Sequence, residues 1–111
     1  MKQLKFSEPL PELILSGKKN TTWRINDNKN ILGGDSLSLC HNNGEEFAKA
    51  KAISVKETNF GNLTEEDKKG HEEFSSDKEM YETYSRYYNI KVTSETKVKI
   101  IRFRILKNSN I

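Results

Sequence analysis

No stretch of this sequence stays apolar for long. Its hydrophobic residues come in short alternating runs closed off by turn-forming residues, which limits the chain to short strands and helices around a thin core. Ser36 to His41 alternates, with Leu37, Leu39 and His41 on one face. Asn43-Gly44 then predicts a hairpin into a strand from about Glu46 to Val55, where Ala48, Ala50 and Ala52 share a face and leave room for close neighbours. Lys97 to Leu106 places Ile101, Phe103 and Ile105 on one side, and Arg102 and Arg104 with Val98 and Ile100 on the other. Lys2 to Phe6 is a further short strand, with Leu4 and Phe6 together.

Helices fill the gaps. Ser7 is the expected cap of a short helix with Pro9 in its first turn and Leu10, Leu13 and Ile14 on one face, and Gly17 suits the left-handed residue that ends it. Thr21 to Ile25 is rich in β-formers and begins a strand at once. Thr64-Glu65-Glu66-Asp67 predicts a capped helix start, and Ser76-Asp77-Lys78-Glu79 opens a second helix carrying Met80, Tyr84 and Tyr87, with Tyr81 and Tyr88 beside them. The order is strand, helix, three strands, two helices, strand. That is an α+β, mainly β chain, better suited to a small, partly open barrel than to a sandwich.

Composition sharpens this. The chain has 111 residues, suited to a single domain over 1–111, and only 26 of them are Val, Ile, Leu or Phe, so few core positions can be wasted. No apolar run reaches membrane-spanning length, and Met1 to Phe6 lacks the apolar region of a secretion signal. One cysteine, Cys40, and two histidines, His41 and His71, give no metal cluster and no internal disulfide. The expectation is a cytoplasmic monomer with no metal, no cofactor and no membrane partner. The net charge of +3 is unevenly spread: residues 1–56 carry +3, residues 57–82 carry −6, and residues 83–111 carry +6. Folded together, the basic flanks would offer a positive face to phosphate-bearing partners; facing the acidic segment, they would only neutralise it.

The segment Ser16-Gly17-Lys18-Lys19-Asn20-Thr21-Thr22-Trp23-Arg24 concentrates the chemistry. A helix ends and a strand begins within about four residues. Alternation points Asn20, Thr22 and Arg24 the same way, with Lys19 at the turn before them and Trp23 on the opposite side, in the core or at its rim. Two cations and a hydroxyl would meet at one end of the barrel, although lysines after a helix C-terminus and threonines in strands are ordinary in their own right. The tyrosines of the last helix fit a base-stacking platform, but their helical spacing favours the face that docks on the barrel.

Gly17, Lys19, Thr22 and Arg24 fall in a pattern that resembles the Gly-x-Lys-x-x-Thr-x-Arg signature of the ASCH domain family. Gly34-Asp35, Leu63 to Asp67 and the closing strand with Phe103 resemble that family's later segments in the right order. The resemblance implies a PUA-like pseudobarrel of about five to six strands with two to three short helices, and a protein that recognises a modified nucleoside or RNA. In one bacterial branch it implies an amidohydrolase that removes the acetyl group from acetylcytidine with a Lys, a Thr and a Glu. Lys19 and Thr22 stand at the first two positions. Aligned without gaps from Leu63, His71 falls where the Glu would stand and Glu72 lies one residue beyond, so Glu72 is the candidate acid. Lys18, Arg24 and His71 are the candidate substrate-binding residues. The alternative is a non-catalytic RNA-binding module built on the same cationic cleft.

Overall fold

A computed structural model describes residues 1–106. The elements follow in the expected order: β1 Lys2–Phe6, α1 Leu10–Leu15, β2 Thr21–Arg24, β3 Ser36–His41, β4 Glu46–Asn59, a single 3₁₀ turn at Phe60–Asn62, α2 Glu65–Lys68, α3 Asp77–Tyr88 and β5 Lys97–Ile105. The five strands form one sheet ordered β1-β3-β4-β5-β2, antiparallel except for the parallel pair β1–β3. It curls into the half-barrel of the α+β, mainly β class expected from the sequence.

Strand β4 continues to Asn59, four residues past the expected end, because its polar second half pairs with β5 all the way to Lys97. Its register shifts between Ala52 and Ser54, which bends it around the curl. Strand β5 lies between β4 and β2 and buries side chains on both of its faces. Ile101 and Phe103 join Leu4, Phe6, Ile14 and Leu39 in one apolar cluster. Val98 and Ile100, expected on the arginine face, join Trp23, Phe60, Met80 and Tyr84 in a second. The thin core is therefore two small cores sharing one strand.

Local details follow the side chains available. Gly17 adopts the left-handed conformation after α1 as expected. Ser7 does not cap that helix with its side chain; its hydroxyl accepts a hydrogen bond from Asn42, and Pro9 occupies the cap position. Thr64 and Asp67 form a reciprocal capping box on α2. At α3, Ser76 caps Glu79, but the Glu79 carboxylate takes its return bond from the Ser75 N–H, one residue further out than a standard box. Cys40 is fully buried as a small core residue, and no helix of the described residues is long and apolar enough to cross a membrane.

Candidate functional site

Strand β2 is an edge strand, and its outer side is taken up by the segment between α2 and α3. The N–H groups of Asn20 and Thr21 both donate to the Gly70 carbonyl, at 2.9 and 3.1 Å, and the Thr21 hydroxyl donates to the Lys69 carbonyl at 2.9 Å. The Trp23 indole N–H donates to the Asp67 carbonyl. Gly70 has φ +75°, and a Cβ there would lie 1.8 Å from Asn20 Oδ1. The left-handed backbone at residue 70 thus favours glycine, and any side chain there would have to displace that of Asn20. Two residues later comes Glu72.

The Lys19 side chain is buried. Its Nζ donates to the Thr21 carbonyl at 2.7 Å and to Glu72 Oε2 at 2.5 Å. Burial pulls the Lys19 ammonium below the ordinary lysine range; the Glu72 carboxylate opposes this and the Arg24 charge adds to it. Burial alone would raise the Glu72 carboxyl, but the pull of His71 and Lys19 and the hydrogen bond from Lys19 more than offset it and hold it lowered. His71 is lowered to about 4, first by burial and then by the Lys19 charge, so it is neutral near pH 7. At that pH Lys19 is therefore the cation that keeps Glu72 ionised.

Thr22 and Arg24 point to the same place. The Arg24 guanidinium donates from Nε to Thr22 Oγ1 at 3.0 Å and from a terminal nitrogen to the Lys5 carbonyl at 2.9 Å, and it lies 4.7 Å above the Phe6 ring. The Thr22 oxygen thus accepts a bond, and its own proton has no acceptor among the described residues. Lys19, Thr22, Arg24 and Glu72 line a cleft of about 200 Å³ with Tyr84 and Tyr87. A cavity of about 470 Å³ shares Glu72 and Trp23 with it but reaches neither Lys19 nor Thr22, so the reactive groups belong to the smaller cleft.

Other candidates lie elsewhere. Lys18 is exposed and outside the cleft lining, because the turn after α1 points it to solvent. Asn20, expected beside Thr22, instead accepts from the Thr21 hydroxyl at 3.2 Å near Gly70. His71 does not line the cleft. Its side chain is 1% exposed, and its ring stacks on Trp23 with centroids 3.7 Å apart and planes 12° apart. Its Nδ1 lies 3.0 Å from the Glu72 carbonyl and its Nε2 lies 2.9 Å from the Tyr84 hydroxyl. Trp23, expected in the core or at its rim, is buried in the core. Its stack on His71, and the bond from Tyr84, had no signal in the sequence, since the partners are separated by 48 and 13 residues.

No family model matches the sequence, and no curated protein is similar to it in sequence. Solved structures share its architecture. An ASCH domain from Lactobacillus crispatus aligns with a TM-score of 0.64 at 16% identity, covering 86% of this chain and 69% of that one. An ASCH protein from Zymomonas mobilis aligns at 0.67 and 12%, covering 92% and 66%. A protein from Pyrococcus furiosus solved by NMR aligns at 0.67 and 23%, covering 96% and 98%. The fold is that of ASCH domain structures, a PUA-like pseudobarrel.

Proposed function

We propose that this chain is a nucleoside-recognising ASCH domain protein whose cleft hydrolyses the amide of an acylated cytidine, with acetylcytidine as the substrate. The observation that carries the reading is the ion pair of buried Lys19 and half-buried Glu72, set in the same cleft as a threonine hydroxyl whose proton has no acceptor among the described residues. The separations fit the branch that the sequence resembles: Lys19 and Thr22 are three residues apart, and a carboxylate from the helical segment meets the lysine.

The residues divide the work as follows. The Thr22 hydroxyl attacks the acyl carbon. A threonine hydroxyl is a weak nucleophile and needs an adjacent base. The Lys19 amine serves once its proton has been lost to solvent, a loss eased by the desolvation that already lowers Lys19, while Glu72 stays ionised and orients the amine. The C–N bond breaks, and the proton taken from Thr22 goes to the leaving exocyclic amine. Free cytidine departs at that step, and water then cleaves the acyl-threonine ester, releasing acetate and restoring the Thr22 hydroxyl. Arg24 holds the Thr22 oxygen in place through its Nε bond. The cleft is below the roughly 300–1,000 Å³ typical of drug-sized ligands, which suits a single base and its acyl group rather than a folded RNA element.

Incubation with acetylcytidine, read by chromatography for cytidine and acetate, tests the reading. Release of both supports it. Binding without release of acetate would refute it for this substrate and favour the binding module.

A further inference from the structure

Glu72 sits in the irregular stretch between α2 and α3, with no regular hydrogen-bond ladder to fix it. Its side chain is held by Lys19. Among the described residues, the only hydrogen bond to its main chain comes from the His71 ring. A carbonyl oxygen can only accept, so His71 Nδ1 carries the proton and donates to the Glu72 carbonyl. His71 Nε2 is then an acceptor, and the Tyr84 hydroxyl donates to it. The ring cannot rotate out of this arrangement without losing its stack on Trp23, and Phe74 and Tyr84 pack around it as well. Tyr84 is itself buried on α3 and packed against Trp23 and Phe60.

We propose that His71 is a positioning residue. The imidazole, clamped by Trp23, fixed in one tautomer by the acceptor-only Glu72 carbonyl and bonded at Nε2 by Tyr84, holds the Glu72 backbone so that its carboxylate meets Lys19. The reading of the cleft as an amidohydrolase site gives this arrangement its purpose, and the proposal rests on that reading for its kinetic consequence only. The order is Tyr84 to His71 to Glu72 to Lys19, and it ties α3 to the start of β2 through four side chains. None of the first three needs to touch substrate through His71 for the carboxylate to be placed, and a displacement of about 1 Å at a reacting group can cost about 100-fold in rate.

Three variants separate the roles. His71→Asn keeps an N–H donor near the Nδ1 position, His71→Gln offers its amide at the Nε2 position, and Tyr84→Phe removes only the hydroxyl bonded to Nε2. Nitrogen-15 NMR of the unliganded wild type should show a neutral His71 protonated on Nδ1, and Tyr84→Phe should keep that tautomer, because the Glu72 carbonyl still accepts from Nδ1, while shifting the Nε2 resonance. On acetylcytidine, His71→Gln should lower kcat about 100-fold with KM changed less than about twofold, while His71→Asn should recover about tenfold of that loss. Thermal unfolding of each variant identifies any that fail to fold, and the isosteric Tyr84→Phe keeps the test open if the histidine variants do. An Nε2-protonated wild type, or equal losses for Asn and Gln in folded protein, would overturn the proposal. A wild type inert on acetylcytidine but with the Nδ1 tautomer, its Glu72 titration moving upward in His71→Gln, would refute the substrate and leave the positioning role standing.

Discussion

Gly70→Ala tests how the loop delivers Glu72. The residue lies in the left-handed region at φ +75°, which costs a non-glycine residue about 1–2 kcal/mol. The new Cβ would meet Asn20 Oδ1 at 1.8 Å and Asn20 Cγ at 2.8 Å, with Thr21 Oγ1 at 3.2 Å. The Asn20 side chain is exposed and can swing away, losing the 3.2 Å bond from Thr21, a net loss of about 0.5 kcal/mol. Strain and displacement together come to about 2 kcal/mol, or about 10 °C in Tm for a domain of this size. Calorimetry measures this directly. Asn20→Ala in the Gly70→Ala background removes the clash but not the strain, so it should return only the smaller part. Activity should fall further than stability alone explains, because Glu72 is two residues away. A Gly70→Ala protein melting within about 2 °C of wild type would refute the reasoning, as would full rescue by Asn20→Ala.

Thr22→Val and Lys19→Met should each abolish release of acetate, and the double variant should cost little more, because residues that act as a unit are not additive; turnover assays of the three variants check this. Stability should fall as pH drops from 6.5 toward 4, because the unfolded chain protonates His71 at its ordinary value while the folded protein holds it to about 4. The contribution is absent above that window and reaches about 3 kcal/mol below it, so denaturant titrations at stepped pH should show a slope that His71→Gln removes. Asp67→Asn should cost about 1 kcal/mol by weakening the cap on α2 and its bond from Lys56, measured by urea unfolding.

Much of the fold was legible because it rests on local rules. Alternation placed β1, β3 and β5 within a residue, and Thr64, Asp67 and Gly17 punctuate helices through chemistry confined to a few neighbours. The motif likewise brought Lys19, Thr22 and Arg24 to one cleft, since they sit on one turn and one strand face. What escaped depends on distant pairings. Val98 and Ile100 share the arginines' face as expected, but alternation could not show that this end of the face is covered by Trp23, Phe60 and Tyr84. Lys18 was expected to bind substrate beside the catalytic Lys19, but the turn after α1 sends it outward and Lys19 under Glu72. His71 was expected at the substrate, yet its burial is decided by Trp23 from one side and Tyr84 from another, neither of them near it in sequence.

The division of the core along β5 also sets how this molecule comes apart. Strands β1, β3 and β4 with α1 bury their apolar side chains in one cluster, whereas α3 and the loops around it depend on the cluster of Trp23, Phe60 and Tyr84. The first half is laced by backbone ladders, and α3 is attached by side chains. Local opening therefore follows that boundary, with the α3 half exchanging its amide protons ahead of the β3–β4 hairpin. Lys19 and Glu72 lie across it, so whatever occupies the cleft binds both halves at once and slows their separation.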